Sequence, residues 1–118
     1  MNISNKKDPK LAVGYIRTKT GRGRMKMTEQ FTRITTKAQE LGCKVDHCYI
    51  EVGSRDQYFL KKLLDAVDMN DWGTLIIHDR SRLSEDEVIY RQIESELKQK
   101  GVEIVSVIPE PINGSTNK

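Results

Sequence analysis

The chain has 118 residues, 36% of them hydrophobic and 31% charged, with a formal net charge of +3. That length is one domain, large enough to bury a core without disulfide or metal staples. No apolar run approaches the roughly 20 residues that cross a bilayer, and Met1-Asn2-Ile3-Ser4-Asn5-Lys6-Lys7 carries no apolar signal region, so a cytoplasmic protein without membrane contact is expected.

Residues 1–9 are polar and are expected to form a disordered tail. Lys10 to Thr18 reads as a buried parallel strand, because its apolar residues are continuous rather than alternating. Gly21 to Lys26 is a loop. From Thr28 to Leu41 the pattern becomes helical, with Phe31, Ile34, Ala38 and Leu41 on one face, and Gly42 stops the helix. Val45 to Val52 is a second strand, with Cys48 and Ile50 on one face and Val45 and Tyr49 towards the other. A polar loop, Gly53 to Gln57, leads to a helix marked by Leu60, Leu63, Leu64 and Val67, ending near Asn70. Asp71-Trp72-Gly73 is a turn in which Trp72 serves as a packing anchor.

Thr74 to His78 is a third strand, followed by the charged cluster Asp79-Arg80-Ser81-Arg82-Leu83. Ser84 with Glu87 three residues on has the form of a capping box. The helix it opens should present Val88, Ile89, Ile93 and Leu97, and Gly101 should end it. Val102 to Ile108 is the fourth strand, and residues 110–118 form a flexible tail. The β-α-β-α-β-α-β order predicts a three-layer α/β domain over residues 10–109, with a mainly parallel four-stranded sheet and helices on both faces.

In such a sheet, ligands gather outside the carboxyl ends of the strands, where Arg17, Lys19, Arg80 and Arg82 stand. Guanidinium groups bind phosphate through paired hydrogen bonds and hold their charge at physiological pH. Lys6, Lys7, Lys10, Arg22, Arg24 and Lys26 join Arg17 and Lys19 in a basic stretch through Lys26 that only Asp8 opposes, a pattern compatible with nucleic acid. The competing reading is solvated loop arginines pairing with Glu51, Asp56 or Asp79. Cys43 and Cys48 are too closely spaced for a disulfide framework, and no second pair exists for a zinc site, although His47 and His78 could complete a cluster on paper; both cysteines are expected to be reduced, with no metal and no cofactor.

The ordered set Gly14-Tyr15-Ile16-Arg17, Gln30, Ile50-Glu51-Val52-Gly53-Ser54, Leu60, Arg82-Leu83-Ser84 and Gly101-Val102-Glu103-Ile104-Val105-Ser106-Val107 resembles the N-terminal catalytic domain of the serine recombinases, the resolvase/invertase family. The resemblance runs from Leu11 to Pro109 and implies a resolvase-like, flavodoxin-like topology. In that family a serine two residues after the strand-end arginine attacks a DNA phosphate, and several arginines stabilise the phosphate in transfer. Arg17 and Arg82 match two of those arginines, and Ser54 matches a loop serine. Glu51 and Ser81 each stand where an aspartate is usual.

The departures concern the chemistry itself. Lys19 occupies the nucleophile position and cannot form a phosphoserine. The flanking hydroxyls of Thr18 and Thr20 are out of line, since adjacent strand residues point to opposite faces. Gln57 and Glu85 stand where arginines are expected, with Arg55 near the first of them. Without the attacking atom the covalent step is lost, and fewer cations weaken stabilisation of the transferring phosphate.

The resemblance therefore implies a catalytically inactive, DNA-binding accessory or regulatory domain in recombination or mobile-element biology. Arg17, Lys19, Arg22, Arg24, Arg55, Arg80 and Arg82 would hold backbone phosphate weakly and in a salt-dependent way. Three alternatives stand beside it. One is an interaction module pairing with an active recombinase or with itself as a dimer. Another is a fragment of an active recombinase using Thr18 or Thr20. The last is an unrelated phosphate-binding α/β enzyme.

Overall fold

The computed structural model describes residues 7–18, 24–53 and 56–109, the side chains of residues 24–26 excepted. Expectations for the two tails beyond them, for Lys19, Thr20, Arg22, Ser54 and Arg55, and for the Arg24 side chain fall outside the described residues. The elements are β1 (Asp8–Thr18), α1 (Arg24–Leu41), β2 (Lys44–Val52), α2 (Tyr58–Val67), β3 (Trp72–Ile77), a single 3₁₀ turn (Arg80–Arg82), α3 (Glu87–Gln99) and β4 (Glu103–Ser106).

The four strands form one sheet in the order β2-β1-β3-β4, and every pairing is parallel. The expected α/β architecture is present. Parallel neighbours need a crossover, and right-handed crossovers to opposite sides of β1 place helices on opposite faces. On one face Ala12, Ile16 and Ile76 pack with Ile34 and Ala38 of α1. On the other, Val13, Tyr15, Leu75 and Ile77 pack with Leu60, Leu63 and Val67 of α2 and with Tyr90 and Leu97 of α3. Burial on both faces is why β1 and β3 read as unbroken apolar runs. Among the described residues no helix is long and apolar enough to cross a membrane.

Several expectations change. Strand β1 starts two residues before Lys10, and the predicted N-terminal tail is anchored from Lys7 onward. Lys7 Nζ donates to Val67 O and, at 2.7 Å, to Asn70 O, carbonyls at the open end of α2, where a cation is favoured. Helix α1 starts at Arg24, inside the predicted loop. Its inward face is Gln30, Ile34 and Ala38, at steps of four, whereas Phe31 and Leu41 are more than two-fifths exposed.

Strand β2 carries an irregularity that no local pattern announced. Ala12 pairs with Val45 but Val13 pairs with His47, so Asp46 is an extra residue. The bulge lets Asp46 and His47 share a face: Asp46 Oδ2 accepts from Trp72 Nε1 at 2.9 Å, and the His47 ring lies 6.3 Å from that of Trp72. Val45 consequently packs on the α1 face with Cys48, not opposite it. Trp72 is buried as an anchor, but as the first residue of β3 rather than in a turn. Strand β4 is shorter than predicted, although Val107 N and Ile108 N continue the ladder to Ile77 O and His78 O, both at 2.8 Å.

Helix α3 corrects both its cap and its face. The N-cap is Asp86, whose Oδ1 accepts from Val88 N at 2.9 Å and Ile89 N at 3.2 Å. Ser84 Oγ instead accepts from Asp86 N at 3.0 Å, and Glu87 turns to Arg80 and Arg91. The helix buries Tyr90 and Leu97, and Val88 and Ile89 are exposed. Gly42 and Gly101 end α1 and α3 as expected, at φ of 72° and 86°.

Candidate phosphate-binding site

The carboxyl ends of β1 and β3 lie side by side where the strand order turns outward to β2 and β4, the switch point at which open α/β sheets bind ligands. A cavity of about 300 Å³ opens there, lined by Arg17, Gln57, Ser81, Arg82, Ser84, Glu85 and Asp86. They come from four places: Arg17 from the end of β1, Gln57 from the entry to α2, Ser81 and Arg82 from the 3₁₀ turn, and Ser84, Glu85 and Asp86 from the approach to α3.

The walls are tied together by backbone acceptors. Arg17 O accepts from Gln30 Nε2 of α1 at 3.1 Å and from Arg82 Nη1 at 3.0 Å. Arg82 Nε also donates to Asp79 Oδ2 at 3.2 Å. Asp79 starts the 3₁₀ turn by accepting from Ser81 N at 3.1 Å, and it receives the Ser81 hydroxyl and His78 Nδ1, the latter at 2.9 Å. Burial acts to raise the Asp79 carboxyl, but the bonds from Ser81 and His78 and the charge of Arg82 together bring it below its ordinary value. It stays ionised and holds Arg82 in place.

Behind the cavity runs a buried polar chain. Glu51 is 1% exposed. Its carboxylate accepts from Tyr15 OH at 2.8 Å, from Phe59 N at 3.1 and 3.2 Å, and from Leu60 N at 3.2 Å. It thereby satisfies the first N–H groups of α2, whose own N-cap residue, Gln57, makes no side-chain cap. Burial pushes the Tyr15 phenol far above its ordinary value, so it remains a donor. Gln57 sits in the left-handed region at φ 49°. Its amide donates to Leu83 O at 2.9 Å and reaches Tyr15 OH at 3.5 Å, bridging the α2 entry to the 3₁₀ turn.

Of the arginines read from the sequence, Arg17 and Arg82 come together in the cavity, and Arg80 does not line it. Arg80 pairs with Glu87 and lies over the Tyr90 ring, 4.3 Å from its centroid; Arg91 is 5.4 Å from the same ring. Thr18 is buried, and it too is absent from the lining. Gln57 and Glu85 both line the cavity. Sequence reasoning missed the Tyr15–Glu51–Gln57 chain and the role of Gln30, although Gln30 lies one helical repeat before Ile34. Among the described residues no group of His, Cys, Asp and Glu has the arrangement of a metal site.

Comparison with known proteins gives this arrangement a context. The family model described as Resolvase, N terminal domain, matches residues 12–118. Among curated proteins no relative matches. Among solved structures, the C-terminal catalytic domain of ISC1926 TnpA, an IS607-like serine recombinase, is similar with a TM-score of 0.76 at 23% identity, over 89% of this chain and 73% of that one. The corresponding domain of IS1535 TnpA, also an IS607-like serine recombinase, gives 0.70 at 26% identity, over 83% and 71%. The N-terminal catalytic domain of TP901-1 integrase gives 0.73 at 18% identity, over 83% and 78%.

Proposed function

This chain belongs to the resolvase N-terminal domain family of serine recombinases, and from that premise we propose that it acts in DNA recombination or transposition as a DNA-binding accessory domain without strand-cleaving chemistry. The observation that carries the reading is the cavity at the β1 and β3 ends, which keeps Arg17 and Arg82 together while the residue two beyond Arg17 is Lys19. Two guanidinium groups can grip a phosphate. A lysine at that position adds positive charge but supplies no oxygen to attack it.

Three further features support the loss of chemistry. Thr18, the hydroxyl next to the expected nucleophile position, is buried and does not line the cavity. Gln57 stands at an expected arginine position and spends its amide on Leu83 O. Glu85 brings negative charge to the cavity. Arg80, engaged by Glu87 and Tyr90, serves to brace the turn in this reading, leaving Arg17 and Arg82 with the basic residues Lys19, Arg22, Arg24 and Arg55 as the phosphate contacts. Such contacts position a duplex without reading its sequence.

A fluorescence-anisotropy titration with a labelled duplex of about 30 base pairs tests binding. Affinity should fall steeply between 20 and 150 mM salt, with a logarithmic slope of roughly −0.9 per phosphate contact. The double variant Arg17→Gln/Arg82→Gln should lower the magnitude of that slope by about two. After incubation with DNA, a denaturing gel should contain no protein–DNA adduct. Salt-indifferent binding would remove the DNA reading, and a covalent adduct would remove the inactive one.

A further inference from the structure

The flank of the molecule beyond β2 carries a second recess, which shares no lining residue with the phosphate cavity. It measures about 610 Å³ and runs between β2 and α2. Strand β2 is terminal in the sheet order, and β1 is its one neighbour among the described residues. The apolar lining includes Ile50, Tyr58, Phe59 and Met69, all of them exposed and Met69 83% so. The Tyr58 and Phe59 rings stand edge to face with centroids 5.1 Å apart. Aromatic residues and methionine are the types enriched where proteins meet, and their gathering in one exposed patch marks an interaction surface.

The order of charge along this surface identifies the partner. Down α2 the lining reads Tyr58, Phe59, Lys62, Asp65, Met69: an aromatic pair at one end, a thioether at the other, and one cation and one anion between them. The Lys62 ammonium lies 5.3 Å from the centroid of the Tyr58 ring. Laid antiparallel against itself about a midpoint between Leu63 and Leu64, the helix sets Lys62 opposite the partner's Asp65 and Tyr58 opposite the partner's Met69, each contact made twice. Strand β2 has a matching level. Glu51 meets Phe59 N and Leu60 N at the amino end of α2. Burial raises the Tyr49 phenol while the Lys62 charge opposes the rise, so the middle of the strand faces the middle of the helix. One twofold axis can therefore serve both elements, as an isologous contact requires. We infer that the recess between β2 and α2 is the docking face for a second copy of this chain, in a twofold dimer with the two α2 helices antiparallel. Dimerisation here does not depend on the phosphate contacts proposed above, but it would carry two phosphate cavities on one particle and hold a duplex at two points.

Sedimentation equilibrium of the full chain without DNA, over roughly 1–300 μM, the range of a small transient interface, should follow a monomer–dimer isotherm. Lys62→Glu and Asp65→Lys each set like charges against one another in the homodimer and should weaken self-association about tenfold. Mixed in equal amounts, the two variants face each other with opposite charges at both contacts, and their heterodimer should form within about threefold of the parent affinity. An ion pair inside one helix cannot give rescue by mixing. Phe59→Ser should also weaken the dimer about tenfold, whereas Val88→Ser, at an exposed apolar residue of α3, should change it less than about twofold. A parent chain that stays monomeric throughout that range overturns the inference. So does a mixture that associates no more tightly than its separate components, or a loss from Val88→Ser equal to that from Phe59→Ser.

Discussion

A buried carboxylate organises the floor of the cavity. Glu51 gathers one hydroxyl and two backbone N–H groups around two oxygens, donors that compensate its burial. A glutamine there would keep one acceptor and turn an N–H towards the N–H groups of α2. Glu51→Gln should lower unfolding free energy by about 1–3 kcal/mol, measured by urea denaturation. Arg17 and Arg82 were legible because a basic residue after an apolar strand is a local signal. Gln57 is read only as a family departure, and Glu51 as that or as a partner for a loop arginine, because their actual partners lie on other elements. Glu51 meets Tyr15 across 36 positions of sequence and Gln57 meets Leu83 across 26; no window of helical or strand period spans such distances.

Among elements, α3 separates two readings of one short motif. Ser84 and Glu87 have capping-box spacing, yet Asp86 performs the capping. Asp86→Ala should cost about 1 kcal/mol of stability, and Ser84→Ala, which loses a bond to a single N–H outside the helix, should cost less. Thermal melts of the two variants decide the order, and the reverse order would restore Ser84 as the cap. The existence of all three helices was legible from their periodicity, but their inward faces were not fully so. In α1 the apolar Phe31 is 45% exposed while Gln30 is 2% exposed. Polarity alone misplaces Phe31 and overlooks Gln30, whose Nε2 donates to Arg17 O while its buried Oε1 finds no hydrogen-bond partner among the described residues. The same preference for apolar residues placed Val88 and Ile89 inward in α3, where Tyr90 takes the core position and offers its ring to Arg80.

For the whole molecule, the site and the fold share groups, so their stabilities are linked. Asp79 fixes the 3₁₀ turn and holds Arg82, and its pKa lies below the ordinary value. A carboxyl depressed in the folded state contributes stability above its unfolded pKa of about 3.9, and that contribution is lost as pH falls through the folded value. Asp79→Asn should destabilise the protein by on the order of 1 kcal/mol near neutral pH, after allowance for screening. The difference from the parent chain should close as pH drops below about 4, in urea unfolding curves collected from pH 7 downward. A gap that persists unchanged into acid would mean the side chain acts by shape alone. The parallel sheet was legible from the alternation of element types and the two-sided apolar strands, and the family model matches residues 12–118. The exact packing of β2 was not.

The bulge at Asp46 gives that outer strand something like a change of reading frame. Upstream, Val45 counts as inward towards α1; one extra residue later, Cys48 does so as well, and the face across the sheet passes to Tyr49 and Glu51. Glu51 therefore reaches the amino end of α2 because the frame was shifted five positions earlier. An alignment that pairs this strand with an unbulged one is in phase on one side of Asp46 alone.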